Sequence, residues 1–132
     1  MNGNGIRGIE QGRAKFAYDS VNEIAQNSNG DLKKKYKSGA KKLPMLIKTN
    51  GLGQALAFIN MRDDGNIELY NMIRDWLSQK QLIELGTNTD LVAIVIDKPS
   101  NEYRRITTET LALLNWVRRF VDGLMKGVEE DN

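Results

Sequence analysis

The chain contains no cysteine and no histidine, and only 2 prolines among its 132 residues. Without histidine there is no Ser-His-Asp or Cys-His nucleophilic site, no ordinary neutral-pH general base, and no His/Cys zinc site. Carboxylate-only metal sites and lysine or tyrosine chemistry stay open, but the catalytic inventory is thin. Long hydrophobic runs are missing too. The longest, Leu91–Ile96, falls far short of the ~20 apolar residues that a membrane span needs. The start, Met1-Asn2-Gly3-Asn4-Gly5, lacks the basic-then-apolar layout of a secretory signal, so a cytoplasmic location and no membrane partner are expected. With 40% hydrophobic and 27% charged residues, there is enough apolar material for one core.

What is present is mostly helical periodicity. Ala14, Ala17, Tyr18, Val21, Ile24 and Ala25 recur at i, i+3, i+4 and i+7, which predicts a first helix that Ile6, Ile9 and Phe16 extend backward. Asn27-Ser28-Asn29-Gly30 ends it, and Asp31 reads as the N-cap of a second helix. Pro44 is expected to kink or interrupt that helix. A third begins after Thr49-Asn50-Gly51, and a fourth spans about 67–84. Gly86-Thr87-Asn88 closes the fourth, with Thr89 or Asp90 capping the next element. Leu91–Ile96 fits a buried strand or a buried helix; it is read as helix because no partner strand is visible. A last helix covers about 100–125, with Ile106, Thr110, Leu113, Leu114, Val117, Val121 and Leu124 on one face. The expected fold is all-α, a compact single-domain bundle of five or six helices over residues 1–132. Residues 1–8 and the acidic tail 126–132 are expected to be flexible.

Charge is segregated along the chain. Residues 1–66 carry 11 Lys/Arg against 6 Asp/Glu, whereas residues 67–132 carry 8 against 11. Between Lys33 and Lys48 stand seven lysines and no acid, so the rest of the chain is acidic on balance. Spaced lysines of this kind neutralise a nucleic-acid backbone and release its counterions. The plain alternative is a solvated helix face. Arg104/Arg105 and Arg118/Arg119 share the polar face of the last helix, about 21 Å apart at its rise per residue. That face suits RNA or a neighbouring subunit.

Other motifs are weak. Asn50-Gly51-Leu52-Gly53-Gln54 lacks the second glycine and the Lys-Ser/Thr pair of a phosphate loop, and close helix packing accounts for it better. Asp63, Asp64, Asn66 and Glu68 lack the spacing of a calcium loop, so no metal and no cofactor is expected. Tyr36, Trp76 and Trp116 read as core residues.

Three stretches together resemble a known family. Arg13-Ala14-Lys15-Phe16-Ala17-Tyr18 opens the first helix. Leu43-Pro44-Met45-Leu46-Ile47 leads into Asn50-Gly51-Leu52-Gly53-Gln54-Ala55-Leu56-Ala57-Phe58. Leu113-Leu114-Asn115-Trp116-Val117-Arg118-Arg119-Phe120 lies on the last helix. In this order they resemble the small all-helical subunit of the Cmr complex, the type III-B CRISPR effector, over about residues 13–124. The stretch from Met61 to Asn101 matches nothing in the resemblance. The likeness implies a non-catalytic subunit in antiviral defence. Copies of it would stack along guide RNA paired with target RNA, beside other Cmr subunits. Arg13, Lys15, Lys33, Lys34, Lys37, Lys41, Lys42 and Lys48 are the candidate phosphate contacts. Arg104, Arg105, Arg118 and Arg119 are second candidates, for RNA or for a subunit. A small helical DNA-binding regulator and a protein-only scaffold are the rival readings; lysines alone carry little base information.

Overall fold

A computed structural model describes residues 5–60, 65–87 and 90–130. Among these, six helices and no strand are present: α1 (Gly5–Asn27), α2 (Gly30–Asn50), α3 (Leu52–Asn60), α4 (Asn66–Gln79), α5 (Leu91–Ile96) and α6 (Ser100–Leu124). Helix α6 packs along α1 and α2, while α3 sits between α2, α4 and α5. Their apolar stripes meet in one cluster that includes Val21, Leu43, Leu56, Leu69, Ile73, Leu77, Leu113, Leu114 and Val117. The expected all-helical bundle is thus observed, with Leu91–Ile96 helical. Tyr36 is fully enclosed, its hydroxyl directed at the Met72 sulfur (3.3 Å), and burial raises its pKa.

Several boundaries differ from those expected, each for a local reason. Asn29, not Asp31, caps α2: its side-chain oxygen accepts from the Leu32 N–H at 2.8 Å. Asp31 instead lies in the first turn, where its charge opposes the positive end of the helix, and it pairs with Lys35 at 3.4 Å. Helix α2 runs through Pro44 as one element. Gly51 (φ 89°) ends α2 and starts α3 in a single residue, its N–H donating to the Ile47 carbonyl and its carbonyl accepting from Ala55 N–H. The Tyr103 hydroxyl accepts from Gly53 N–H at 2.7 Å. The glycines here therefore serve a tight helix–helix corner.

Helix α4 stops at Gln79, well before the expected 84. Leu82 N–H returns to the Leu77 carbonyl and Gln81 N–H to that of Ser78, both at 3.0 Å, with Gln81 left-handed at φ 60°. This is a Schellman ending that uses Gln where Gly is usual, so nothing in the composition announced it. At the other end of α4, Gly65 (φ 95°) approaches α2 so closely that a Cβ would lie 2.7–2.9 Å from Lys35 Cβ, Leu32 O and Tyr36 N. The loop residues Asp63 and Asp64, and the proposed cap Thr89, lie outside the described residues. Asp90 does precede α5, but its carboxylate accepts from the Tyr70 hydroxyl (2.7 Å), which in turn accepts from Val92 N–H (3.0 Å).

The two unusual backbone positions generate opposite expectations. Gln81→Gly removes a left-handed side-chain penalty and should stabilise the chain by about 1 kcal/mol. Gly65→Ala adds both that penalty and a clash with α2, and should destabilise it by at least ~1–2 kcal/mol. Urea unfolding of the two variants checks both signs.

Candidate nucleic-acid interface

The lysines of α2 do not form one uniform ridge. At about 100° per residue, Lys33, Lys37, Lys41 and Lys48 lie toward one flank of the helix, and that flank borders α6, as the contacts of Lys37 and Lys41 show. The fold has used some of them. Lys37 is buried, and its ammonium donates to the carbonyls of Met125 (2.9 Å) and Val128 (3.0 Å), just past the end of α6. Lys41 is held between Asp122 (2.9 Å) and Glu130 (3.1 Å). Hydrogen bonds to those two carboxylates raise its pKa. Both charges are thus engaged by groups within the chain.

Arg13 is engaged internally as well. Its guanidinium is buried and engages Glu109 on α6 through both Nε (2.8 Å) and Nη2 (3.0 Å), and it also pairs with Glu10. Glu109 further accepts from the Trp76 indole N–H at 2.8 Å. Phe16 packs on Trp76 at 4.9 Å and Lys80 lies over its ring at 5.5 Å. The result ties α1, α4 and α6 at one carboxylate. Burial pushes the Glu109 carboxyl up, but the hydrogen bonds from Arg13 and Trp76 and the Arg13 charge outweigh it, so its pKa is lowered. The Arg13 pKa is raised, first by its hydrogen bond to Glu109.

The remaining candidates face solvent. Lys15 pairs with Asp19 at 3.1 Å, both well exposed. Lys42 and Lys48 are exposed, and Lys33 and Lys34 are half-buried. Arg104, Arg105, Arg118 and Arg119 are all exposed. Lys33, Lys34, Lys48 and the four arginines have no hydrogen-bond or ion-pair partner among the described residues. Three of these arginines line recesses. Arg118 lines a groove of about 270 Å³ with Pro44 and Lys48 of α2 and Leu111, Ala112 and Asn115 of α6. Arg104 and Arg105 border a second recess with Asn101, Thr108 and Glu109.

The α2–α6 groove thus brings Lys48 from the first set together with Arg118 from the second, and adds Asn115 as a neutral donor. In the sequence Asn115 stands out only as part of a motif. Its position beside the groove depends on the pairing of α2 with α6, which no local pattern encodes. Among the described residues, no group of three or more Asp, Glu, His or Cys could hold a metal ion. No helix among them is long and apolar enough to cross a membrane.

These features define a small helical protein whose unpaired cations border a shallow groove between two long helices. Comparison with known proteins makes the class specific. The family model for the CRISPR-associated protein Cmr5 (Cas_Cmr5) matches residues 9–124, and the chain belongs to that family. A relative named CRISPR system Cmr subunit Cmr5, from Thermus thermophilus, is 32% identical over 114 residues. That match covers 86% of this chain and 92% of the relative. The X-ray crystal structure of a CRISPR-associated Cmr5 family protein, also from Thermus thermophilus, superposes with a TM-score of 0.73. It shares 30% identity, covering 87% of this chain and 98% of that one. The resemblance read from the three sequence stretches is borne out.

Glu109 is the polar residue that ties three helices, and its loss should be felt by the fold. Glu109→Gln leaves the buried Arg13 charge with only Glu10 to balance it and should cost about 2–3 kcal/mol. The pH dependence has a definite sign. A carboxyl whose folded pKa is lowered contributes stability above the ordinary glutamate range near ~4.3, and that stability is lost as pH falls through the folded value. The unmodified protein should therefore lose stability on acidification below about pH 4 more steeply than Glu109→Gln does. Urea midpoints across the acid range report the difference, and parallel curves would contradict the assignment.

Proposed function

We propose that the chain acts as a non-catalytic small subunit of a type III-B CRISPR RNA-guided effector. In this reading it holds guide RNA paired with target RNA through its solvent-facing cations, in antiviral defence in the cytoplasm. Family membership supports a place beside other Cmr subunits. The observation that carries RNA holding is the α2–α6 groove, where Lys48 and Arg118 stand with no internal partner among the described residues. Lys33, Lys34 and Lys42 extend the cationic surface along α2, and Lys15 is a peripheral contributor. Arg104, Arg105 and Arg119 serve RNA or a neighbouring copy of the subunit.

Contacts from ammonium and guanidinium groups to phosphates carry no sequence information, and in this reading recognition of sequence is left to guide–target pairing. The mechanism is electrostatic positioning, with no bond made or broken by this chain. Affinity of one copy is low, and the effect builds through neighbouring subunits in an assembly. A sequence-selective regulator of duplex DNA would instead present a recognition helix with base-reading side chains, and the free cations here are lysine and arginine on two separate helices.

Four phosphate contacts on single-stranded RNA should give a log Kobs against log[salt] slope of roughly −3. Replacing Lys33, Lys34, Lys48 and Arg118 together by Ala should flatten that slope markedly with the helical circular dichroism retained. Arg13 and Lys41 variants should not reproduce this effect. A slope unchanged in the fourfold variant removes the groove from the function.

A further inference from the structure

Composition predicts a free C-terminal segment, yet its described part, 126–130, lies on the cationic flank of α2. Helix α6 ends at Leu124 with Met125 as its cap, and Met125 is buried. Beyond it, Val128 N–H donates to the Met125 carbonyl (3.1 Å) and the Val128 carbonyl accepts from Lys37 (3.0 Å). Glu130 then reaches Lys41 at 3.1 Å. Glu129 precedes it in the sequence. Glu130, with Glu129 beside it in the sequence, is therefore brought to the flank that continues toward Lys48 and Arg118.

We propose that this segment is an intramolecular counter-ion strap, which an RNA backbone displaces when it occupies the α2–α6 surface. The proposal rests on the groove reading above. Its physical basis is the asymmetry of the contacts. Lys37 keeps its bond to Met125, and Lys41 keeps Asp122, when the strap lifts. What is given up is the Val128 carbonyl, the Glu130 carboxylate and the hydrogen bond from Val128 N–H to the Met125 carbonyl. The Lys41–Glu130 pair is partly exposed on both sides, the kind of pair that solvent and salt weaken most. A tethered carboxylate also has a high effective concentration, so it competes with phosphate without binding tightly. Gly127 has nothing within 4 Å of where a Cβ would stand, so the turn that carries the strap is not wedged in place. The strap thus sets how much positive charge the surface offers to a polyanion, and favours ligands with enough phosphates to replace several acids at once.

The test uses the full chain carrying Glu129→Gln and Glu130→Gln. The control carries Asp75→Asn and Glu84→Gln, the same charge change on other elements. Binding of a labelled oligouridylate is measured alongside amide exchange at Val128 in the free and RNA-bound protein. The strap variant should bind roughly threefold to tenfold more tightly than the control at low salt, with the gap closing as salt rises. In the unmodified chain, RNA should speed exchange at Val128. If strap variant and control bind alike while Ala at Lys48 and Arg118 still weakens binding, the strap is wrong and the groove reading stands. Tighter binding with Val128 equally protected in the bound state overturns displacement. If no form binds RNA, the groove reading fails and the strap fails with it.

Discussion

A single carboxylate organises the charges of this protein. Glu109 receives two hydrogen bonds from Arg13 and one from Trp76, so that α1, α6 and α4 meet at one point. Burying these groups is costly unless every polar atom is matched. The matching is complete: no buried side-chain nitrogen or oxygen among the described residues lacks a partner. Once α6 is fixed against α1 by this contact, its other flank is turned to α2, and the position of the groove follows.

The chain's cations then divide by what the fold has already asked of them. Arg13 holds helices together, Lys37 satisfies carbonyls beyond the end of α6, and Lys41 joins α2 to Asp122 and Glu130. The ones left over among the described residues include Lys33, Lys34, Lys48, Lys126 and the four arginines of α6. A run of lysines in a sequence is therefore a poor measure of a binding surface by itself. What counts is the charge that remains after internal pairing, and it is smaller and more localised here than seven lysines between positions 33 and 48 suggest.

Helix positions are readable because apolar periodicity is local: the α6 stripe of Ile106, Leu113, Leu114, Val117 and Val121 is buried as its spacing implies. Ends are less so. Gln81 in a left-handed ending and Asn29 as a cap depend on backbone geometry that several residue types can adopt. Arg13 looks like a surface cation in the sequence because its partner Glu109 is distant and meets it only when α1 lies on α6. The acidic tail is visible as acidic, but its attachment to Lys41 needs α2 and α6 to run side by side. The family likeness comes from motifs spread over three helices, and such motifs survive uncertainty about any one boundary.

The central claim is that polyanions meet this chain at its internally unpaired cations and not at its paired ones. Backbone amide shifts recorded during titration of the labelled protein with oligouridylate at low salt test it directly. The account predicts changes concentrated around Lys33, Lys34, Lys48, Asn115 and Arg118 and at the displaced Val128, with the surroundings of Arg13 and Glu109 unmoved. Shifts centred on Arg13, or scattered evenly over all basic residues, would contradict it.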